Sequence, residues 1–189
     1  LLLDMASGDT SGAGRNSIAA RGLEGARKSK PAAFFEPSLS RLITVGNFED
    51  DLGRLADVDW IVEAVVENLD IKRALLKKVE AVRRPGTLVT TNTSGLPVGK
   101  IAKRFSEDFR RSWFGTHFFN PPRYMRLLEI IPAPETSVEL IESLVRFADV
   151  ELGKGIVVAK DTPNFIANRI GTFSVLNVMR LMQAMDLSV

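Results

Sequence analysis

Along the 189 residues, short runs of apolar and β-branched positions alternate with longer segments in which apolar residues return every three or four positions. The runs predict strands at Leu1 to Asp4, Leu42 to Val45, Trp60 to Val65, Thr87 to Thr91, Trp113 to Phe119, Leu127 to Ile131 and Gly155 to Ala159. The periodic segments predict helices at Asn16 to Lys30, Leu69 to Arg83 and Ser137 to Asp149. In the second of these, Leu69, Leu76 and Val79 share one side, which leaves Lys72, Lys77, Lys78 and Glu80 to water. Strands that are almost wholly apolar and alternate with helices imply a mostly parallel sheet covered on both faces, so the fold class is α/β, of the doubly wound type.

Two stretches interrupt this pattern. Residues 5 to 15 are small, polar and rich in glycine, and predict a loop between the first strand and the first helix. Residues 31 to 41 begin at Pro31 and carry Phe34 and Phe35, aromatics suited to core packing, to capping a helix end or to covering a ligand, with core packing the expectation. After Asp161-Thr162-Pro163-Asn164 the pattern becomes one helix to near the end, apolar on more than one side. Such a helix needs partners on several faces, and some of them must lie outside this chain. The organisation expected is a domain over 1–161 and the beginning of a helical domain over 162–189.

Composition narrows the function classes. The chain is 45% hydrophobic and 25% charged with a net charge of +2, and its Lys and Arg are interspersed with acids, so a nucleic-acid partner is not expected. The absence of cysteine removes disulfides, thiolate catalysis and Cys-ligated metals, and fits a cytoplasmic protein. One histidine leaves no His-rich metal site, and no metal is expected. No apolar run approaches the roughly 18 residues of a membrane helix, and Leu1-Leu2-Leu3 is too short for a signal peptide.

The chemistry-bearing residues stand at strand ends. A dinucleotide-binding unit opens with a strand, a Gly-x-Gly-x-x-Gly turn and a helix, then a second strand ending in an acid that receives ribose hydroxyls. Leu1-Leu2-Leu3-Asp4 matches that second strand and its acid. Gly12-Ala13-Gly14-Arg15-Asn16-Ser17 imitates the turn but follows the acid and ends in serine, so it reads as a flexible loop. The expectation is that the chain begins about thirty residues into its domain, the length of one strand-turn-helix unit. Glu63 and Glu67 fall within or just past an apolar strand and call for partners. His117 ends another strand, and a short connection leads to the strand that holds Glu129. A carboxylate beside a histidine orients the ring and supports its protonated form, as a general base for an alcohol requires. Spacing alone equally allows a core histidine satisfied by a carboxylate. Ser94, after Asn92-Thr93, reads as a turn or helix cap or as a polar contact for a ligand.

Four segments taken together resemble the L-3-hydroxyacyl-CoA dehydrogenase family: Val62 to Asn68, Asn92-Thr93-Ser94, His117 to Pro121, and Lys160 to Arg169. The resemblance runs from about Asp4 to the C-terminus. It implies a Rossmann-like NAD-binding domain and oxidation of the 3-hydroxyl of an acyl-CoA to a ketone, with hydride passing to NAD in fatty-acid β-oxidation. It further implies His117 as general base, Glu129 as its partner, and Ser94 and Asn168 as polar residues that hold the substrate. Asp4 matches the adenosine-ribose acid, and Glu67, Lys72, Ser94 and Asn120 match cofactor-contacting positions. A homodimer or a longer multifunctional chain is implied as the assembly. Asn164 in place of a common glycine, with the glycine-rich loop after Asp4, resembles the long bacterial form. The basic residues Arg27, Lys28 and Lys30 read as a solvated helix face rather than coenzyme A contacts. The other readings are a related hydroxy-acid or sugar-acid dehydrogenase and a non-catalytic nucleotide-binding or assembly module.

Overall fold

The computed structural model describes residues 1–8 and 12–187, with the side chain of residue 13 outside that description. Strand β1 (Leu2–Asp4) pairs in parallel with β2 (Val45–Asn47), placing Leu3 opposite Gly46 and Asp4 opposite Asn47. A second sheet holds β3 (Trp60–Glu63), β4 (Leu88–Thr91), β5 (Trp113–Phe118), β6 (Leu127–Pro132) and β7 (Gly155–Val158), in that order. The pairs β3–β4, β4–β5 and β6–β7 are parallel and β5–β6 is antiparallel. The mostly parallel sheet is as expected. The reversal at β6 comes from the connection, since residues 119–126 are too few for a crossover helix and suffice for a hairpin.

The helices are α1 (Gly12–Arg15), α2 (Ser17–Lys28), α3 (Leu69–Val82), α4 (Val98–Ala102), α5 (Glu107–Arg111), α6 (Val138–Val150) and α7 (Ala167–Ala184). The long ones begin where their caps stand. The Asn68 side chain accepts from the amides of Asp70 and Ile71, and Ser137 accepts from Leu140, satisfying donors that the first helical turn leaves open. Along β5 the alternation sends Trp113 to one face and Phe114 to the other. Trp113 joins Leu76, Val89, Ile101, Phe109 and Ile131, while Phe114 joins Leu128, Ile130, Leu144 and Ala148, so the sheet is covered on both faces. A third cluster, with Leu52, Leu55 and Val79 at its centre, receives Leu3 of β1 and Ile61 of β3 and joins the two sheets.

Several expectations change. The strand expected at Leu42 to Val45 is displaced: a 3-10 turn takes Pro37–Leu42, and the strand begins at Val45. Part of the glycine-rich stretch is helical, because Ser7 donates from its amide to Arg15 O and Arg15 is held by Glu49 (2.6 Å) and Asp50 (2.7 Å). The remainder of that expected loop, residues 9–11, lies outside the described residues. Phe35 is not core. It is 75% exposed and lies under the Arg123 guanidinium at 4.2 Å, because Arg123 ties the segment to the surface through Ala32 O and Phe34 O. Phe34 is half-buried. Helices α4 and α5, five residues each, have no periodicity long enough to predict them. As the pattern required, α7 buries none of its residues and leaves Ile170, Phe173, Leu176 and Met179 exposed.

Candidate active site

The antiparallel register sets His117 directly opposite Glu129. Directly opposed residues of a strand pair point to the same face, and the ring and carboxylate meet at 2.8 Å between Nδ1 and Oε2. His117 is 4% exposed and Glu129 fully buried. Where the carboxylate is the acceptor of this bond, Nδ1 donates and Nε2 is the ring's acceptor. The rings of Phe119 and Phe165 flank the imidazole, with centroids at 4.5 and 5.5 Å. The other carboxylate oxygen of Glu129 accepts from the amides of Ile166 (3.0 Å) and Ala167 (2.9 Å).

A second polar group lies beyond β3 and β4. Lys72 is not wet: it is 1% exposed, and its ammonium donates to both oxygens of Glu63 (2.9 and 3.1 Å) and to Val65 O (3.1 Å). The reason lies in the helix period. Lys72 stands one turn before Leu76 on the same side, so it faces inward and requires the Glu63 carboxylate. Glu63 also accepts from the Thr91 hydroxyl (2.7 Å) and the Val65 amide (2.6 Å), so the buried pair is fully bonded. Lys72 reaches on to Glu67 at 3.3 Å. Glu67 in turn accepts from the Thr93 hydroxyl and from the amides of Ser94 (3.1 Å), Gly95 (3.1 Å) and Leu96 (3.4 Å). Burial pushes the Glu67 carboxyl upward, but the Thr93 and Gly95 bonds and the Lys72 charge outweigh it and hold it below the ordinary glutamate range.

Ser94 therefore stands exposed on a turn whose amides are gathered on one carboxylate. The Asn168 side-chain amide, from the first turn of α7, approaches Ser94 O at 3.5 Å. Asn92 joins the ends of β4 and β5 by accepting from the Phe118 amide at 2.9 Å. Across the linker to α7, Asp161 accepts from the Val98 and Gly99 amides, both at 2.8 Å. Spacing does not single out Glu63, Asn92, Asp161 and Phe165 as site-shaping residues. Only Glu63, an acid inside an apolar run, signals its need for a partner.

His117 and Glu129 are thus in contact, and Glu67, Lys72, Ser94 and Asn168 form a connected set at the ends of β3 and β4. Asp4 stands apart at the end of β1, half-buried, with one carboxylate oxygen on the Met5 amide (2.7 Å). Asn120 is exposed, two residues beyond β5. Arg27 and Lys28 pair with Glu24 at 3.6 and 3.0 Å, a solvated helix face as expected. The donor set suits parts of a nicotinamide dinucleotide: a strand-end carboxylate for ribose hydroxyls, and a polar turn beside a histidine for the nicotinamide end. The sequence holds no Gly-x-Gly-x-x-Gly turn for the pyrophosphate.

Parallel strands with Asp4, Glu67, Ser94 and His117 at or just past their carboxyl ends define a nucleotide-binding domain of the doubly wound α/β class. The chain belongs to the family described as 3-hydroxyacyl-CoA dehydrogenase, NAD binding domain, whose model matches residues 4–162. It is 46% identical over 188 residues to a probable 3-hydroxyacyl-CoA dehydrogenase of Deinococcus radiodurans, covering 100% of this chain and 54% of that one. A putative fatty acid oxidation complex trifunctional enzyme of Rickettsia felis is 38% identical over 173 residues, which is 92% of this chain and 24% of the relative. The crystal structure of FadB2 from M. tuberculosis superimposes with a TM-score of 0.75 at 26% identity, covering 93% of this chain and 60% of that one. The chain spans about half the length of its Deinococcus relative. Among the described residues no helix is long and apolar enough to cross a membrane.

Proposed function

We propose that the chain supplies the cofactor-binding half of an enzyme that oxidises an L-3-hydroxyacyl-CoA to the 3-oxoacyl-CoA. The observation that carries the reading is the buried contact between His117 Nδ1 and the Glu129 carboxylate, in which an accepting carboxylate leaves Nε2 as the ring's acceptor. Nε2 takes the 3-hydroxyl proton, and Glu129 stabilises the imidazolium that results through Nδ1. Ser94 and Asn168 hold the substrate oxygens near the ring. Bound NAD supplies the hydride acceptor for C3. Asp4 would hold the adenosine ribose, and its charge disfavours a 2′-phosphate, while Glu67, Lys72, Ser94 and Asn120 would line the nicotinamide side.

In this proposal residues 1–161 form the cofactor domain and 162–189 open a helical domain. The protein works in the cytoplasm as a homodimer or as part of a multifunctional chain, consistent with the trifunctional relative and the exposed apolar side of α7. The test is NADH consumption with acetoacetyl-CoA. His117→Ala should lower kcat by about 10²–10⁴-fold with little change in NAD affinity, and unchanged turnover would refute the role of base. A non-catalytic nucleotide-binding or assembly module is the second reading. NAD binding without any turnover would select it. Turnover of a small hydroxy acid in preference to the acyl-CoA would instead select a related dehydrogenase.

A further inference from the structure

Glu129 is bonded beyond what its histidine requires. Oε2 faces the ring, while Oε1 is occupied by the amides of Ile166 and Ala167, the root of α7. The chain reaches this position through two consecutive residues in the left-handed region, Asn164 (φ 64°) and Phe165 (φ 46°). Phe165 is 2% exposed and its ring packs edge-on against the imidazole. Upstream, the Asp161 carboxylate anchors the same linker to the first amides of α4. The body of α7 buries nothing, so its root is what fixes it to this domain.

We infer that the linker from Asn164 to Ala167 is a positioning element for the base, and that the seat of α7 and the orientation of His117 form one cooperative unit joined through Glu129. The inference rests on the reading of His117 as base. A carboxylate held at one oxygen turns easily, because its terminal torsion is broad. Held at both oxygens by three donors, its plane is fixed, and with it the direction from which Nδ1–H is received. Withdrawing the root of α7 leaves a buried oxygen without donors, a costly state that is avoided only if the pair rearranges. Linkage makes the effect reciprocal: whatever seats α7 favours the oriented ring, and the oriented ring favours the seat. An event on the apolar side of α7 is thereby felt at the base.

The single histidine makes the test unambiguous, since one ring contributes all imidazole resonances. In Glu129→Gln the side-chain carbonyl still receives the two amides, while its NH₂ faces the ring and demands the opposite tautomer. In Glu129→Ala both functions are lost. Amide exchange at Ile166 and Ala167 should be about tenfold faster or more in Glu129→Ala and close to the parent rate in Glu129→Gln. In the reverse direction, Phe165→Ala should speed solvent exchange of the His117 Nδ1–H by about tenfold, with the amides of β4 unaffected. Asn164→Gly, which accepts the same φ without strain, should leave both signals in place. If Phe165→Ala loses β4 protection, Phe165→Leu is read instead, with the same expectation. Unchanged exchange at residues 166 and 167 in Glu129→Ala, or unchanged Nδ1–H exchange in the folded Phe165 variant, overturns the inference. None of these signals needs turnover, so a failure of the dehydrogenase reading shows separately, as NADH left unconsumed.

Discussion

Lys72 shows how a charged side chain comes to be buried and how much depends on it once it is there. The helix period assigns it to the side of Leu76 and Val79, and Glu63, nine positions earlier, lies at the end of the facing strand. Replacing Lys72 by Met leaves the Glu63 carboxylate buried without its cation, and should destabilise the domain by about 3–5 kcal/mol in chemical denaturation. The double change Lys72→Met, Glu63→Gln should recover part of that loss. Glu67 makes a pH prediction. Its carboxyl lies below the ordinary value in the folded chain, so its contribution is complete above that value and is lost as pH falls through the lower folded one. Unfolding midpoints measured downward from neutrality should therefore fall more gently at acid pH in Glu67→Gln than in the parent. At this scale legibility is uneven. His117 and Glu129 are visible as a pair by strand and spacing, whereas the inward position of Lys72 is present in the period but masked by its charge, which points to water. The amides of Ile166 and Ala167 leave no trace, because a backbone donor has the same chemistry at every non-proline residue.

Elements are legible where they are long. α3 and α6 announce themselves by period and by Asn68 and Ser137 at their starts, whereas α4 covers little more than one turn and draws part of its stability from elsewhere. Asp161 supplies that support across 62 and 63 positions, accepting the Gly99 amide with one oxygen and the Val98 amide with the other. Asp161→Ala should cost about 1 kcal/mol or somewhat more and raise exchange at Val98 and Gly99 ahead of the rest of α4, a pattern readable by hydrogen exchange. The strand at residues 45–47 lies later than its sequence suggests because a threonine and apolar residues before it satisfy strand propensity equally well, and a proline-initiated turn claims residues 37–42 instead.

For the molecule as a whole, alternation of strands and helices is enough to establish an α/β domain covered on both faces, but not the division into sheets of two and five strands. Pairing partners of parallel strands are set by tertiary packing, on which period is silent. A pair of three-residue strands is a marginal sheet, and β1–β2 depends on the cluster it shares with β3. Its amides should exchange faster than those of β4 and β5. Gly46 is the sensitive point of that pair, since a Cβ there would meet Asp51 Oδ2 at 2.5 Å and Leu3 Cδ2 at 2.8 Å. Gly46→Ala should destabilise by about 1–3 kcal/mol and loosen β1, seen as a further rise in exchange at Leu2 and Asp4 with β4 unchanged.

The hairpin of β5 and β6 separates what must be kept in geometry from what is free to vary. His117 and Glu129 face each other because of strand register, which the length of the connection 119–126 sets and the pairing of β6 with β7 holds from the other side. A one-residue slip of that register would turn the side chains of β6 to the opposite face, whereas exchanging side chains in the connection leaves the backbone register in place. The segment is therefore a rim whose side chains can be exchanged over fixed strands, and a substitution library over residues 123–126 should keep the His117–Glu129 contact where a library of single insertions loses much of it.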